Sequence, residues 1–227
     1  RRQRQMCIRD RATEDTMELK NKKINFLGDS ITEGVGASCR ENIYLNVMAR
    51  ECELAAARNY GISCTRIARQ DGEGFYGNPF CDRYMKMDDD ADIIVIFGGV
   101  NDFLHGRAPF GAFDDRTKDT YYGAWHVLLR GLLEKYPDGQ IVVMTPLHRT
   151  EENVPSPGNG RPLKDYVAAA KEVAEFYSVP VLDLFAESGI QPEVSVIKEK
   201  YCPDGLHPSD AGNRRIAERL AGFLKSL

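Results

Sequence analysis

The 227-residue chain is short of several things that would point to a partner. Thirty Lys and Arg are outnumbered by 34 Asp and Glu, for a formal net charge of −4. The chain therefore lacks the strong positive field of a nucleic-acid binder, and no nucleic-acid partner is expected. No apolar run approaches the ~18 residues needed to span a bilayer, so no membrane insertion is expected either. A basic start is present, but no apolar stretch follows it as in a secretory signal. The six cysteines, at positions 7, 39, 52, 64, 81 and 202, form no Cys-x-x-Cys pair and no zinc-finger spacing with histidine. They read as reduced, mostly buried thiols of a cytoplasmic protein, with no metal. Gly and Pro, at 20 and 11, are too few for a fibrous chain, whereas 42% apolar residues suffice for a core.

Residues 1–16 carry five arginines against three acids. They read as a non-native or disordered tail, leaving 17–227 as one domain. Short apolar runs suited to buried parallel strands recur at Ile24–Leu27, Ile93–Phe97, Ile141–Met144 and Val179–Leu184, with a weaker strand near Ala57–Tyr60. Helical stripes alternate with them at Ile43–Leu54, Thr120–Tyr136, Leu163–Tyr177 and Ile216–Leu224. That alternation predicts an α/β fold, a parallel sheet with helices on both faces. Residues 151–162 (EENVPSPGNGRP) read as a surface loop.

Three turns carry chemistry. Gly28-Asp29-Ser30 directly follows the first strand, where an open parallel sheet binds its ligands. Ser30 could face a substrate there or merely cap a helix. Asp204-Gly205-Leu206-His207-Pro208 puts a carboxylate and an imidazole in one short segment, with Pro208 suited to opening the last helix. Gly99-Val100-Asn101-Asp102 follows the third strand, and the Asn101 amide could donate to an oxyanion or form an Asx turn. A nucleophile, a base, its partner and an amide donor thus fall at one predicted sheet edge. No Gly-x-Ser-x-Gly elbow occurs.

These blocks, Gly28-Asp29-Ser30-Ile31-Thr32-Glu33-Gly34, Gly99-Val100-Asn101-Asp102 and Asp204-Gly205-Leu206-His207, resemble the SGNH/GDSL hydrolases in order and spacing over about residues 22–226. The resemblance implies a flavodoxin-like three-layer α/β/α sandwich with a five-stranded parallel sheet. It implies Ser30 as nucleophile, His207 as general base, Asp204 as its partner and Asn101 as an oxyanion donor beside the Ser30 N–H, without a cofactor. The second block, Asn59-Tyr60-Gly61-Ile62-Ser63-Cys64-Thr65, departs from the family, which usually has its oxyanion-hole glycine where this chain has Cys64; the resemblance thus implies the Cys64 N–H as a further oxyanion donor, with Gly61 as the fallback. A Cys N–H donates equally well, but a Cβ costs energy if the position needs positive φ.

Weaker signals complete the reading. Gly72-Glu73-Gly74-Phe75-Tyr76-Gly77 matches a dinucleotide pattern, but it follows an expected short helix at Thr65–Gln70 rather than a strand, and reads as a loop near the site. Asp88, Asp89, Asp90 and Asp92 read as a solvated turn rather than a Ca²⁺ loop. Asp29, His105 and Arg149 are candidate substrate contacts. The loops 103–111 and 147–149 should form the rim, joined by Phe75, Tyr76 and Trp125. The expected function is hydrolysis of a small-molecule ester with a short acyl group, such as acetyl on a sugar. The same residues would serve an acyltransferase, a lysophospholipase or a thioesterase. A non-catalytic binding module is the third class, and the intact Ser30, Asp204 and His207 speak against it.

Overall fold

The computed structural model describes residues 17–70 and 77–227. The tail at 1–16 and most of the glycine-rich segment, with Phe75 and Tyr76, lie outside the described residues. The apolar runs form the sheet. β1 (Lys23–Gly28), β3 (Ile93–Phe97) and β4 (Gln140–Met144) make its middle, and β2 (Ala56–Gly61) and β5 (Val181–Leu182) its edges. All pair in parallel in the order β2-β1-β3-β4-β5. Every residue of β3 is buried, as expected of a branched, apolar strand covered on both faces. Edge strand β2 is only partly covered, so it accommodates Arg58 and Asn59 and reads weakly in the sequence.

The two faces separate by side-chain alternation. Leu27, Ile94, Ile96, Ile141 and Val143 join a core with α5 (Tyr121–Lys135) and α6 (Leu163–Phe176). Ile24, Phe26, Val95, Val142 and Met144 join the opposite core with α2 (Tyr44–Glu51) and α9 (Asp210–Lys225). The result is the three-layer α/β/α sandwich. The Thr120 and Ser209 side chains accept backbone N–H bonds at the starts of α5 and α9. Shorter helices are α1 (Ser30–Glu33), α3 (Phe80–Arg83), α4 (Val100–His105), α7 (Leu184–Glu187) and α8 (Ser195–Tyr201), with 3-10 turns at Arg40–Asn42 and Tyr84–Lys86. Strand order reverses direction between β1 and β3, which opens a crevice beyond their carboxyl ends. Gly28 pairs with Gly61 on one side and Phe97 on the other, so the three strands end level there.

Several expectations need correction. Thr65–Gln70 is not helical. Its amide donors are taken elsewhere: Ile67 and Ala68 donate to the Asp102 carboxylate at 2.9 and 3.1 Å, and Arg69 donates to the Lys118 carbonyl. The Val179–Leu184 run yields only a two-residue strand. Within it Asp183 accepts from the Ala186 N–H and starts α7. Pro208 does not open the last helix, because Ser209 caps it and Asp210 begins it. Trp125 is fully buried in the α5 core and not on a rim, and Phe103 and Phe110 pack edge-on against Tyr166. Of the described cysteines only Cys81 and Cys202 are buried, whereas Cys39 is exposed and Cys52 and Cys64 are partly so; all five are free. The aspartates of the 88–92 turn form ion pairs, Asp88 and Asp90 with Arg58 and Asp89 with Lys135. No described helix is long and apolar enough to cross a membrane.

Candidate active site

Ser30 is the first residue of α1, just beyond the carboxyl end of β1. The cap of that helix is Asp29, whose carboxylate accepts from the Ile31 N–H at 3.1 Å, so the Ser30 hydroxyl is left for another partner. A glycine must precede this turn: a Cβ at Gly28 would lie 1.9 Å from the Thr32 hydroxyl. Ser30 Oγ lies 3.0 Å from His207 Nε2. On the other side of the ring, His207 Nδ1 lies 2.7 Å from Asp204 Oδ2. The backbone N–H groups of Leu206 and His207 donate to Asp204 Oδ1 at 2.8 and 2.7 Å.

The protonation pattern follows from these contacts. Partial burial pushes the Asp204 carboxyl up, but the His207 ring and the two backbone donors outweigh it and hold it below the usual range. An ionised carboxylate only accepts, so Nδ1 carries the proton and Nε2 presents its lone pair to Ser30 Oγ. Gly36, at φ 95°, packs against the base of His207: a Cβ there would sit 2.6 Å from the Pro208 carbonyl and 2.9 Å from His207 Cβ. The ring is oriented by its contacts with Ser30 on one side and Asp204 on the other.

Two further segments approach Ser30. The 62–65 turn is tied to β1 by the Ile62 N–H, which donates to the Gly28 carbonyl at 3.1 Å. Glu33 accepts from the Ser63 N–H at 2.6 Å and from the Ser63 hydroxyl. Buried Arg83 donates to the Gly28 carbonyl at 2.6 Å, to Thr65 Oγ1 at 3.1 Å and to the Tyr60 carbonyl. Asn101, in α4, donates its amide to the Thr65 carbonyl at 3.1 Å. That bond uses one of its two amide protons and leaves the other. The Ser30 and Cys64 backbone N–H groups donate to no other group among the described residues.

Cys64 has φ 61°, in the left-handed region that glycine occupies at no steric cost. A side chain there costs about 1–2 kcal/mol, against about 0.5–1 kcal/mol for the extra chain entropy of glycine. Cys64→Gly is therefore expected to raise the melting temperature by about 2 °C, read in a thermal melt. A lowered value would show that the thiol packs better than this balance allows.

The sequence offered no signal for Arg83 or for the part Asp102 plays. Asp102 is buried, and its carboxylate clamps the Ile67 and Ala68 N–H groups. Burial pushes its pKa from 3.8 up to about 7 despite those bonds. Between these values the native state retains a proton that the unfolded chain has released. This group's contribution to stability therefore falls as pH rises through that window. Asp102→Asn does not titrate. The difference in melting temperature between variant and parent is expected to move in the variant's favour from pH 4 to 7.5. A pH-independent difference would contradict the assignment.

Of the expected substrate contacts, Asp29 is 1% exposed and caps α1. Burial pushes its carboxyl up to about 6, offset by the Ile31 bond and by the His207 and Arg83 charges. His105 ends α4 and is largely exposed; partial desolvation of its ring, and then the Arg66 and Arg149 charges, lower its pKa. Arg149 is buried. The structure thus brings Ser30, His207, Asp204, Cys64 and Asn101 to one sheet edge, with Asp29 beneath them.

Comparison with known proteins bears on the family and the fold. The chain is 24% identical over 217 residues to a GDSL lipase of Mycobacterium tuberculosis, covering 92% of this chain and 84% of that one. A solved protein from Lactobacillus plantarum is 32% identical, covers 91% of this chain and 98% of its own, and superposes with a TM-score of 0.80. A two-domain esterase active on acetylated mannans shares the fold at 21% identity and a TM-score of 0.59, over 89% of this chain and 48% of that one. The GDSL-like lipase/acylhydrolase family profile matches residues 26–215. A match over so much of the chain, with its sheet order and the serine at its β1 edge, makes this protein a member of the GDSL-like lipase/acylhydrolase family.

Proposed function

We propose that the protein is a serine ester hydrolase acting on short acyl esters through an acyl-enzyme on Ser30. The observation that carries this reading is the continuous series Ser30 Oγ–His207 Nε2–Asp204 at 3.0 and 2.7 Å, with free N–H donors beside it. Ser30 Oγ attacks the ester carbonyl while His207 Nε2 takes its proton. Asp204 holds the ring and stabilises the imidazolium. The Ser30 and Cys64 N–H groups and the Asn101 amide receive the tetrahedral oxyanion. His207 then protonates the leaving alcohol. Water, deprotonated by the same ring, releases the acid. Apart from the ester and the attacking water, these steps use groups of this chain. An acyltransferase would differ in the last step alone, where an acceptor hydroxyl replaces water.

Two observations support a short acyl group. The apolar space beside the site, among Ile31, Phe97, Val100, Leu147 and Leu206, is small. The structural neighbour active on acetylated mannans handles acetyl esters on sugars. The five free thiols support action in the cytoplasm. The test is a series of p-nitrophenyl esters from acetate to decanoate. Turnover is expected to be highest for acetate or butyrate and at least tenfold lower for octanoate. A preference for long chains would overturn the short-acyl reading and favour a lysophospholipase.

A further inference from the structure

A groove of about 140 Å³ lies between α4 and the 149–157 segment, lined by Phe103, Leu104, Arg149, Glu151, Val154 and two prolines. It adjoins the candidate site from both sides. One wall is the helix that carries Asn101. The other belongs to the segment whose Thr150 N–H donates to the Gly205 carbonyl at 3.0 Å, in the turn between Asp204 and His207.

The polar groups here are incompletely matched. Arg149 is 8% exposed, with its Nε donating to the Thr150 carbonyl at 2.8 Å and its guanidinium 5.8 Å from the centre of the Phe103 ring. Its buried Nη1 has no hydrogen-bond partner among the described residues. A buried donor left unmatched is costly, so a ligand that supplies an acceptor is favoured there. Burial lowers the Arg149 pKa, and the charges of Glu151, Asp204 and Glu152 offset it only in part. Glu152 is occupied by the His148 ring at 2.8 Å and the Arg149 N–H at 3.0 Å. Glu151 is exposed and forms no ion pair among the described residues. An unmatched donor, an open carboxylate acceptor and apolar walls suit a neutral, hydroxyl-bearing ring, and exposed Glu151 in the lining would repel an anion. Hydroxyls both donate and accept, and the C–H faces of the ring lie against Phe103, Leu104 and proline.

We infer that this groove is the subsite for the alcohol half of the ester, taking a neutral sugar or similar polyol whose hydroxyl meets Arg149. The inference rests on the ester hydrolase reading for its place in the reaction, but the binding itself does not. Two measurements separate them. In the first, kcat and KM are measured for a mono-O-acetyl methyl xyloside and for p-nitrophenyl acetate, with the parent, Arg149→Met and Glu151→Gln. Each variant is expected to lower the ratio of kcat/KM for the acetylated xyloside to that for p-nitrophenyl acetate at least tenfold, mainly through KM. Equal losses on both esters would overturn the inference and make Arg149 a support of Asp204. In the second, binding of methyl xyloside and of a uronic acid is followed by ligand-observed NMR, which needs no turnover. Binding of the xyloside that Glu151→Gln and Arg149→Met each weaken supports the subsite even if no ester is hydrolysed. No binding of the xyloside, or preference for the uronic acid, overturns it. Because exposed Glu151 can be changed without disturbing the core, a misfolded Arg149 variant leaves both measurements decisive.

Discussion

Ser30→Ala is expected to lower kcat for p-nitrophenyl acetate by about 10⁴–10⁶-fold while the protein stays folded. The size follows from the absence of a substitute. Ser30 Oγ is the hydroxyl that faces His207 Nε2, and without it His207 has nothing to activate but water. The fold should tolerate the change because the Ser30 side chain does not cap α1. Asp29 does, and the turn before it depends on Gly28. The melting temperature should therefore stay within a few degrees of the parent's. Unchanged turnover would rule out the acyl-enzyme on Ser30, and an unfolded variant would show that Asp29 and Gly28 do not secure the turn without the Ser30 hydroxyl.

The second large effect is expected at Asn101. Its amide sits on α4 and faces the same edge, with one proton engaged by the Thr65 carbonyl and one left. In the proposed reaction that second proton meets charge that develops only in the transition state. Loss of one such donor costs about 2.7–4 kcal/mol, or 10²–10³ in kcat. Asn101→Ala should thus lower kcat strongly and leave KM nearly unchanged. A change in KM alone would make Asn101 a ground-state binding group. The substitution also frees the Thr65 carbonyl, so some loss of stability, on the order of 1 kcal/mol, should accompany it.

The parts legible in the sequence were those written in neighbouring residues. β1, β3 and β4 are continuous apolar runs, and the turns after β1 and β3 and before α9 place Ser30, Asn101, Asp204 and His207 by short-range geometry. What the sequence did not show depends on partners far along the chain. Thr65–Gln70 has the composition of a short helix, yet Asp102 takes its amides from 34 and 35 residues away. Arg83 looks like any surface arginine, but it ends buried, joining the ends of β1 and β2 to Thr65. Trp125 was a rim candidate because aromatic residues serve both surfaces and cores, and only the packing of α5 on the sheet decides between them. Pro208 fits the first position of a helix, but Ser209 immediately after it is the better cap. The strain at Cys64 is intermediate: the departure from glycine is visible in sequence, whereas φ 61° is not.

The central claim is that Ser30 is the activated nucleophile of this site. Its most direct test is labelling with a fluorophosphonate, followed by peptide mapping by mass spectrometry. The account predicts one modified residue, Ser30, with labelling that tracks loss of esterase activity and disappears in His207→Ala. Modification of a different residue with Ser30 untouched, or full activity after Ser30 is modified, would contradict it.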